Sequence, residues 1–160
     1  MSETTILQPG DSMPSFELKN QRNEPIRSAE LKGKWVVLYF YPRDNTPGCT
    51  TEAKDFTDLK PEFEKHNVII YGVSKDSVAS HEKFSTKQCL EIDLLSDPDH
   101  KVIDAFGAWQ LKKNYGKESM GTVRSTFLIN PEGIVQRSWD KVKVKGHVDE
   151  VLTELKKSLS

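Results

Sequence analysis

Residues 35–56 read WVVLYFYPRDNTPGCTTEAKDF, and the fold turns on how they are parsed. The run Trp35–Tyr41 is continuously apolar and rich in β-branched and aromatic side chains. That pattern suits a central strand covered on both faces. Pro42 to Gly48 is turn chemistry, with two prolines, an asparagine and a glycine. From Cys49 the period becomes helical, with Ala53, Phe56 and Leu59 on one face. Pro61 then predicts a break: one helix ending near Leu59 and a second starting at the proline. The stretch is therefore strand, loop, helix, with a thiol at the loop-to-helix junction.

Working outward, residues 68–74, VIIYGVS, predict a second buried strand, and residues 92–97, IDLLSD, a short third one. Between them, residues 76–89 predict a helix with Val78, Phe84 and His81 inward. Residues 97–107 predict another, with Asp97 as N-cap, Pro98 in the first turn and Gly107 as the stop. Residues 109–123 read as a long polar connection. Residues 125–139 predict a β-hairpin around Asn130–Gly133. Near the C-terminus Val148, Val151, Leu152, Leu155 and Leu159 form an amphipathic stripe. On the N-terminal side, residues 14–18 and 24–31 predict short strands or turns. The alternation of strands and helices gives parallel strands with helices on the faces, and the late hairpin adds antiparallel strands. The class is α/β with a mixed central sheet, as one domain over residues 1–160.

The chain has 160 residues and a net charge of −1, so nothing points to nucleic acid or another polyanion as partner. No apolar run reaches bilayer length, and the start lacks a secretory pattern, so no membrane role is expected. Two cysteines, Cys49 and Cys89, are too few for a disulfide framework and fit a reducing cytoplasm. His66, His81, His100 and His147 are scattered, with no metal-ligand spacing, so neither metal nor other cofactor is expected. Trp109 and Tyr115 read as packing residues, and the KVKVK run at 141–145 as a solvated strand edge.

Cys49 stands beyond the carboxyl end of a strand, where open α/β sheets bind ligands. It also opens a helix, where free N–H groups and the dipole favour an anion. Both favour thiolate over thiol. A buried inert cysteine would not need a loop of fixed shape before it. Thr46, three residues earlier, reaches the same point with a hydroxyl that both donates and accepts, which suits an –O–OH group. Pro42 and Pro47 stiffen the loop and shield the sulfur. No Cys-x-x-Cys is present, because Thr46 and Glu52 hold the positions three either side of Cys49. A dithiol–disulfide exchanger is disfavoured.

Pro42-x-x-x-Thr46-x-x-Cys49 matches the active-site motif of peroxiredoxins. Together with GVSKDS, LLSDPDHKV, FGAW, YGKESMGTVRSTFLINPEGIV and KVKVKGHVDEVL, the chain resembles the bacterioferritin-comigratory (peroxiredoxin Q) subfamily from about Gly10 to its end. The resemblance implies a thioredoxin-like fold and a thiol peroxidase acting on hydrogen peroxide and organic hydroperoxides. It makes Cys49 the peroxidatic cysteine, which passes through a sulfenic acid. Thr46 would align the peroxide, Pro42 would shield the pocket, and Arg124 would stabilise the thiolate and the leaving oxygen. Glu52 matches a family acidic position and would orient Arg124. Thioredoxin or a similar thiol is the implied reductant, and a monomer the implied state. A non-catalytic sensor or holdase on the same fold is the competing reading, and the intact set of four residues argues against it.

The chain departs from the subfamily at Lys54. Many members carry a resolving cysteine five residues after the first, and Lys54 excludes that local disulfide. Two routes stay open. Cys89 resolves Cys49, although it falls about one turn later than in members that use this helix, or an external thiol reduces Cys49 directly.

Overall fold

The computed structural model describes residues 5–114 and 116–159. The chain begins with an antiparallel pair, β1 (Glu17–Lys19) and β2 (Pro25–Arg27), followed by a short 3-10 turn at Ser28–Leu31. Then come β3 (Trp35–Phe40), α1 (Pro47–Glu64), β4 (Val68–Ser74), α2 (Val78–Gln88), β5 (Asp93–Ser96) and α3 (Lys101–Ala105). A hairpin, β6 (Trp109–Asn114) and β7 (Lys117–Thr122), precedes β8 (Ser125–Ile129), β9 (Val135–Trp139) and α4 (His147–Leu159). Seven strands form one sheet in the order β2-β1-β5-β4-β3-β8-β9, and β6-β7 stand apart as a second sheet. The α/β class with a mixed, helix-flanked sheet is as the sequence indicates.

The central strand β3 is parallel to β4 and antiparallel to β8. Its alternate side chains feed two cores. Val37, Tyr39 and Tyr41 pack with Cys49, Ala53 and Phe56 of α1, Phe84 of α2 and Val151 and Leu155 of α4. Val36, Leu38 and Phe40 pack on the other face with Ile103 of α3, Phe106 and Phe127. A strand buried on both faces reads as an unbroken apolar run, which is why 35–40 was legible.

Five expectations need correction. Pro61 does not end a helix; α1 runs through it. Phe63, fully buried and in ring contact with Phe56 at 6.2 Å, makes continuation worthwhile. Burying such a ring contributes about 1.5–3 kcal/mol, comparable to the roughly 3 kcal/mol cost of an interior proline.

The helix expected from Asp97 begins later, at Lys101, with His100 as its N-cap in a left-handed conformation. Asp97 still serves it at a distance, since Oδ2 accepts from the Val102 and Ile103 N–H groups at 3.0 and 2.8 Å. Residues 109–122 form a hairpin, not an irregular connection. Its only apolar cross-strand pair, Leu111 and Met120, is exposed, so no buried period marked it. Residues 141–145 are a loop, not a strand edge. Leu159, the last residue of the α4 stripe, is exposed, while the other four are buried.

Candidate active site

The loop after β3 is fastened before it reaches α1. Tyr41 is buried, and its N–H donates to Val73 O at 3.1 Å. Asp44 is the anchor. Its Oδ1 accepts from Tyr41 Oη at 2.6 Å and its Oδ2 from Ser80 Oγ at 2.8 Å. Its N–H donates to Asp76 Oδ2 at 2.8 Å. His81, fully buried on α2, places Nδ1 2.7 Å from Asp44 Oδ2 and Nε2 2.9 Å from Leu95 O. Pro42, half-buried, is thus held between two fixed residues.

Thr46 is the N-cap of α1 in an extended conformation, with Pro47 as the first helical residue. Its hydroxyl donates to Arg43 O at 3.0 Å and accepts no N–H of the helix. Cys49 is the third helical residue, among those whose N–H groups have no acceptor inside the helix. It is 1% exposed.

Glu52 follows three residues later, on the same face of α1 and one turn beyond the helix start. It is fully buried. Arg124, just before β8, joins the two. Its Nη2 donates to Cys49 Sγ at 3.3 Å and its Nη1 to Glu52 Oε1 at 2.7 Å. Val142 N–H donates to Arg124 O at 3.0 Å, so the loop at 141–145 helps to hold the arginine. Gly48 gives the guanidinium room: a Cβ there would lie 3.3 Å from Nη2.

The electrostatics follow from this bridge. Burial alone would lower the Arg124 guanidinium, but Glu52 and Cys49 more than offset it and hold it above its ordinary value. Burial pushes Glu52 up to about 7, against the opposing pull of Arg124. Among the described residues Glu52 Oε2 has no hydrogen-bond partner, and neither has the buried Tyr39 hydroxyl. Gly72 leaves room for Tyr39, since a Cβ there would stand 2.7 Å from its ring and hydroxyl. Lys112 of β6 lays its stem across Gly121, whose added Cβ would lie 3.1 Å from Cδ. Burial and the Arg124 charge lower it, while the charge of Cys49 raises it.

His147, the first residue of α4, is buried with Nε2 2.8 Å from Thr126 Oγ1. Burial, aided by Arg124 and opposed by Glu150, lowers it to about 4. Unfolded, it would titrate near 6.5, so between these values the unfolded chain binds more protons. Its contribution to stability is therefore present above about pH 6.5 and lost as pH falls to about 4, on the order of 3 kcal/mol. Glu52 slopes the other way between about 4.5 and 7. The His147 effect is thus read as a difference from His147→Asn in denaturant melts across that range. A difference that does not change with pH would contradict it.

Cys89 is not brought to Cys49. It is exposed at the C-cap of α2, in a left-handed conformation with φ 54°. The residues after it pack on the middle of α1: Glu91 N–H donates to Thr57 Oγ1 at 3.2 Å, and Lys60 Nζ to Glu91 O at 2.6 Å. Thr57 is about 12 Å of helix rise beyond Cys49. Trp109 packs on His100 at 3.9 Å and under Lys75, away from the sulfur's contacts. Tyr115 lies outside the described residues. Among the described residues no cluster of His, Cys, Asp or Glu could hold a metal ion. A groove of about 640 Å³ lies beside the site, between the first turns of α1 and the start of α4, and neither Cys49 nor Arg124 lines it.

Sequence reasoning missed Asp44, Lys112 and Val142. It reached His81 only as an inward-facing residue.

Comparisons with known proteins agree with one another. The AhpC/TSA family profile matches residues 9–138. Peroxiredoxin Bcp of Bacillus subtilis is 52% identical over 147 residues, covering 92% of this chain and 94% of that protein. Among solved structures, the bacterioferritin comigratory protein of Xanthomonas campestris superposes with a TM-score of 0.89 at 43% identity, covering 98% of this chain and 99% of that one. That protein was studied for alkyl peroxide reduction through trapped intermediate and ligand complexes. Mycobacterium tuberculosis AhpC is more distant, with a TM-score of 0.81 at 29% identity over 98% of this chain and 95% of that one.

Proposed function

Since the chain belongs to the AhpC/TSA family, as a peroxiredoxin of the Bcp type and hence a thiol-dependent peroxidase, we propose that Cys49 is its peroxidatic residue. The observation that carries this is the single guanidinium of Arg124 donating to both Cys49 Sγ and Glu52. The Cys49 thiolate attacks the terminal oxygen of R–O–O–H. An S–O bond forms, the O–O bond breaks, and RO⁻ leaves to become ROH. Sulfur gives up two electrons and the peroxide takes them. Arg124 stabilises the thiolate first and the departing oxygen afterwards, as a fixed donor in a dry site. Thr46 turns its hydroxyl from Arg43 O to the peroxide and aligns it, and Pro42 limits water access. Glu52 fixes the plane of the guanidinium.

Recycling needs a second thiol. Lys54 removes the local one, and Cys89 is the other cysteine of the chain. We assign Cys89 the resolving role. A bridge requires Cα atoms roughly 4.4–6.8 Å apart, so the first turns of α1 and the end of α2 must unwind to make it. Cys89 sits where a helix frays at least cost, past its last turn. A dithiol of the thioredoxin type then reduces the bridge. The protein works as a single-domain monomer in the cytoplasm. Consistent with that location, no described helix is long and apolar enough to cross a membrane.

One equivalent of hydrogen peroxide, thiol blocking and peptide mass mapping test this. The expected product is an intrachain Cys49–Cys89 peptide. Sulfenic acid persisting on Cys49 with Cys89 alkylated would move resolution to an external thiol. An unoxidised Cys49 would overturn the site.

A further inference from the structure

Cys49 and Glu52 are two acids on one cation in a closed space. Cys49 is 1% exposed and Glu52 fully buried, and Arg124 touches both, at 3.3 and 2.7 Å. Removing three full charges from water together is costly, whereas one cation facing one anion is neutral. Among the described residues Glu52 Oε2 has no partner, and leaving a neutral acid oxygen unpaired costs less than leaving a carboxylate oxygen unpaired.

Among the described residues, the groups facing this site do not supply a second positive charge in contact with Glu52. Tyr39 from β3 is a neutral buried phenol, and burial raises its hydroxyl well above the ordinary value. Asp55 on α1 adds negative charge. His147 from α4 is neutral near pH 7. Lys112 from β6 acts on Arg124 and Cys49. The elevated titration of Glu52, to about 7, fits a group that holds its proton in the working range.

Building on the assignment of Cys49, we propose that Glu52 is the proton store of the reaction: Cys49 and Glu52 share one proton, so that the site stays neutral throughout turnover. In the reactive form the sulfur is a thiolate and Glu52 a carboxylic acid. Peroxide attack then balances as Cys–S⁻ + Glu–COOH + ROOH → Cys–SOH + Glu–COO⁻ + ROH. The proton needed by the leaving alkoxide comes from within the protein. When the sulfur loses its charge, the carboxylate takes over as the anion of Arg124. A dithiol reductant restores both: Cys–SOH + Glu–COO⁻ + R′(SH)₂ → Cys–S⁻ + Glu–COOH + R′S₂ + H₂O. Glu52 does not touch the peroxide, so it is a positioning residue that also sets the proton count.

The test counts protons. Reduced protein is mixed with one equivalent of tert-butyl hydroperoxide in weak buffer near pH 6, below the value of about 7 at which Glu52 titrates, with a pH indicator. Thiolate loss is followed by its ultraviolet absorbance. Wild type is expected to lose its thiolate with almost no net proton uptake. In Glu52→Gln, uptake is expected to rise to about one proton per thiolate consumed. A carboxylate that only oriented Arg124 would give about one proton in both proteins, and that result overturns the proposal. If Glu52→Gln does not fold, infrared difference spectra of wild type decide. Oxidation must remove a protonated-carboxyl band and add carboxylate bands, and unchanged bands overturn the proposal. No thiolate loss in wild type would instead refute the assignment of Cys49, and this proposal with it.

Discussion

Cys49→Ser is expected to abolish peroxide turnover, by about 10⁴-fold or more, the scale on which loss of a nucleophile acts. The change is nearly isosteric at a position that is 1% exposed, so α1 and its packing persist. A hydroxyl next to Arg124 still accepts the guanidinium hydrogen bond. It does not ionise near neutral pH, however, and the reaction consumes an anion. The measurement is hydrogen peroxide consumption with a dithiol donor, alongside a denaturant melt to establish the fold. Residual turnover above about 1% of wild type would show that another thiol carries the chemistry, and Cys89 would be the candidate.

Arg124→Met is expected to act on rate and stability together. The sulfur loses the donor at 3.3 Å, and removal of one such preorganised donor costs about 10²–10³ in rate. Glu52 loses its partner at 2.7 Å, and a buried charge stripped of its partner costs about 3–5 kcal/mol. Glu52 escapes that cost by keeping its proton, since burial already raises it to about 7. The stability loss should therefore be small near pH 6 and grow above pH 7. Single-turnover oxidation of Cys49 and melts near pH 6 and pH 8 check both halves. A loss that does not vary with pH would mean that Glu52 holds no proton in this range.

How much was legible depended on whether burial left a one-dimensional trace. β3 and β4 are covered on both faces and read as apolar runs. Four residues of α4 present a helical stripe. The β6-β7 hairpin buries neither face of its middle, so only backbone pairing defines it, and pairing has no composition. Pro61 misled because proline is judged locally, whereas the reward for continuing α1 lies in Phe63 and its contact with Phe56.

The site divides the same way. Pro42, Thr46 and Cys49 lie within eight consecutive residues, from the loop into the first turn of α1, and were found by spacing. Arg124 and Glu52 are seventy-two residues apart, and resemblance, not spacing, pointed to them. Asp44, His81 and Lys112 are ordinary polar residues in sequence. Their meaning comes from partners delivered by other strands and helices.

The Asp44 anchor bears on how this chain can vary. The loop that carries Pro42 and Thr46 owes its shape to Ser80 and His81 on another helix and to Asp76 between them. Replacing Asp44 alone would strand a buried imidazole and the Tyr41 hydroxyl. Replacing His81 alone would take the imidazole from the buried Asp44 carboxylate and leave it the hydroxyls of Tyr41 and Ser80. Among descendants of this sequence, positions 44 and 81 should drift as a linked pair, with 41, 76 and 80 following. The loop's own residues then carry only part of the inheritance of its shape.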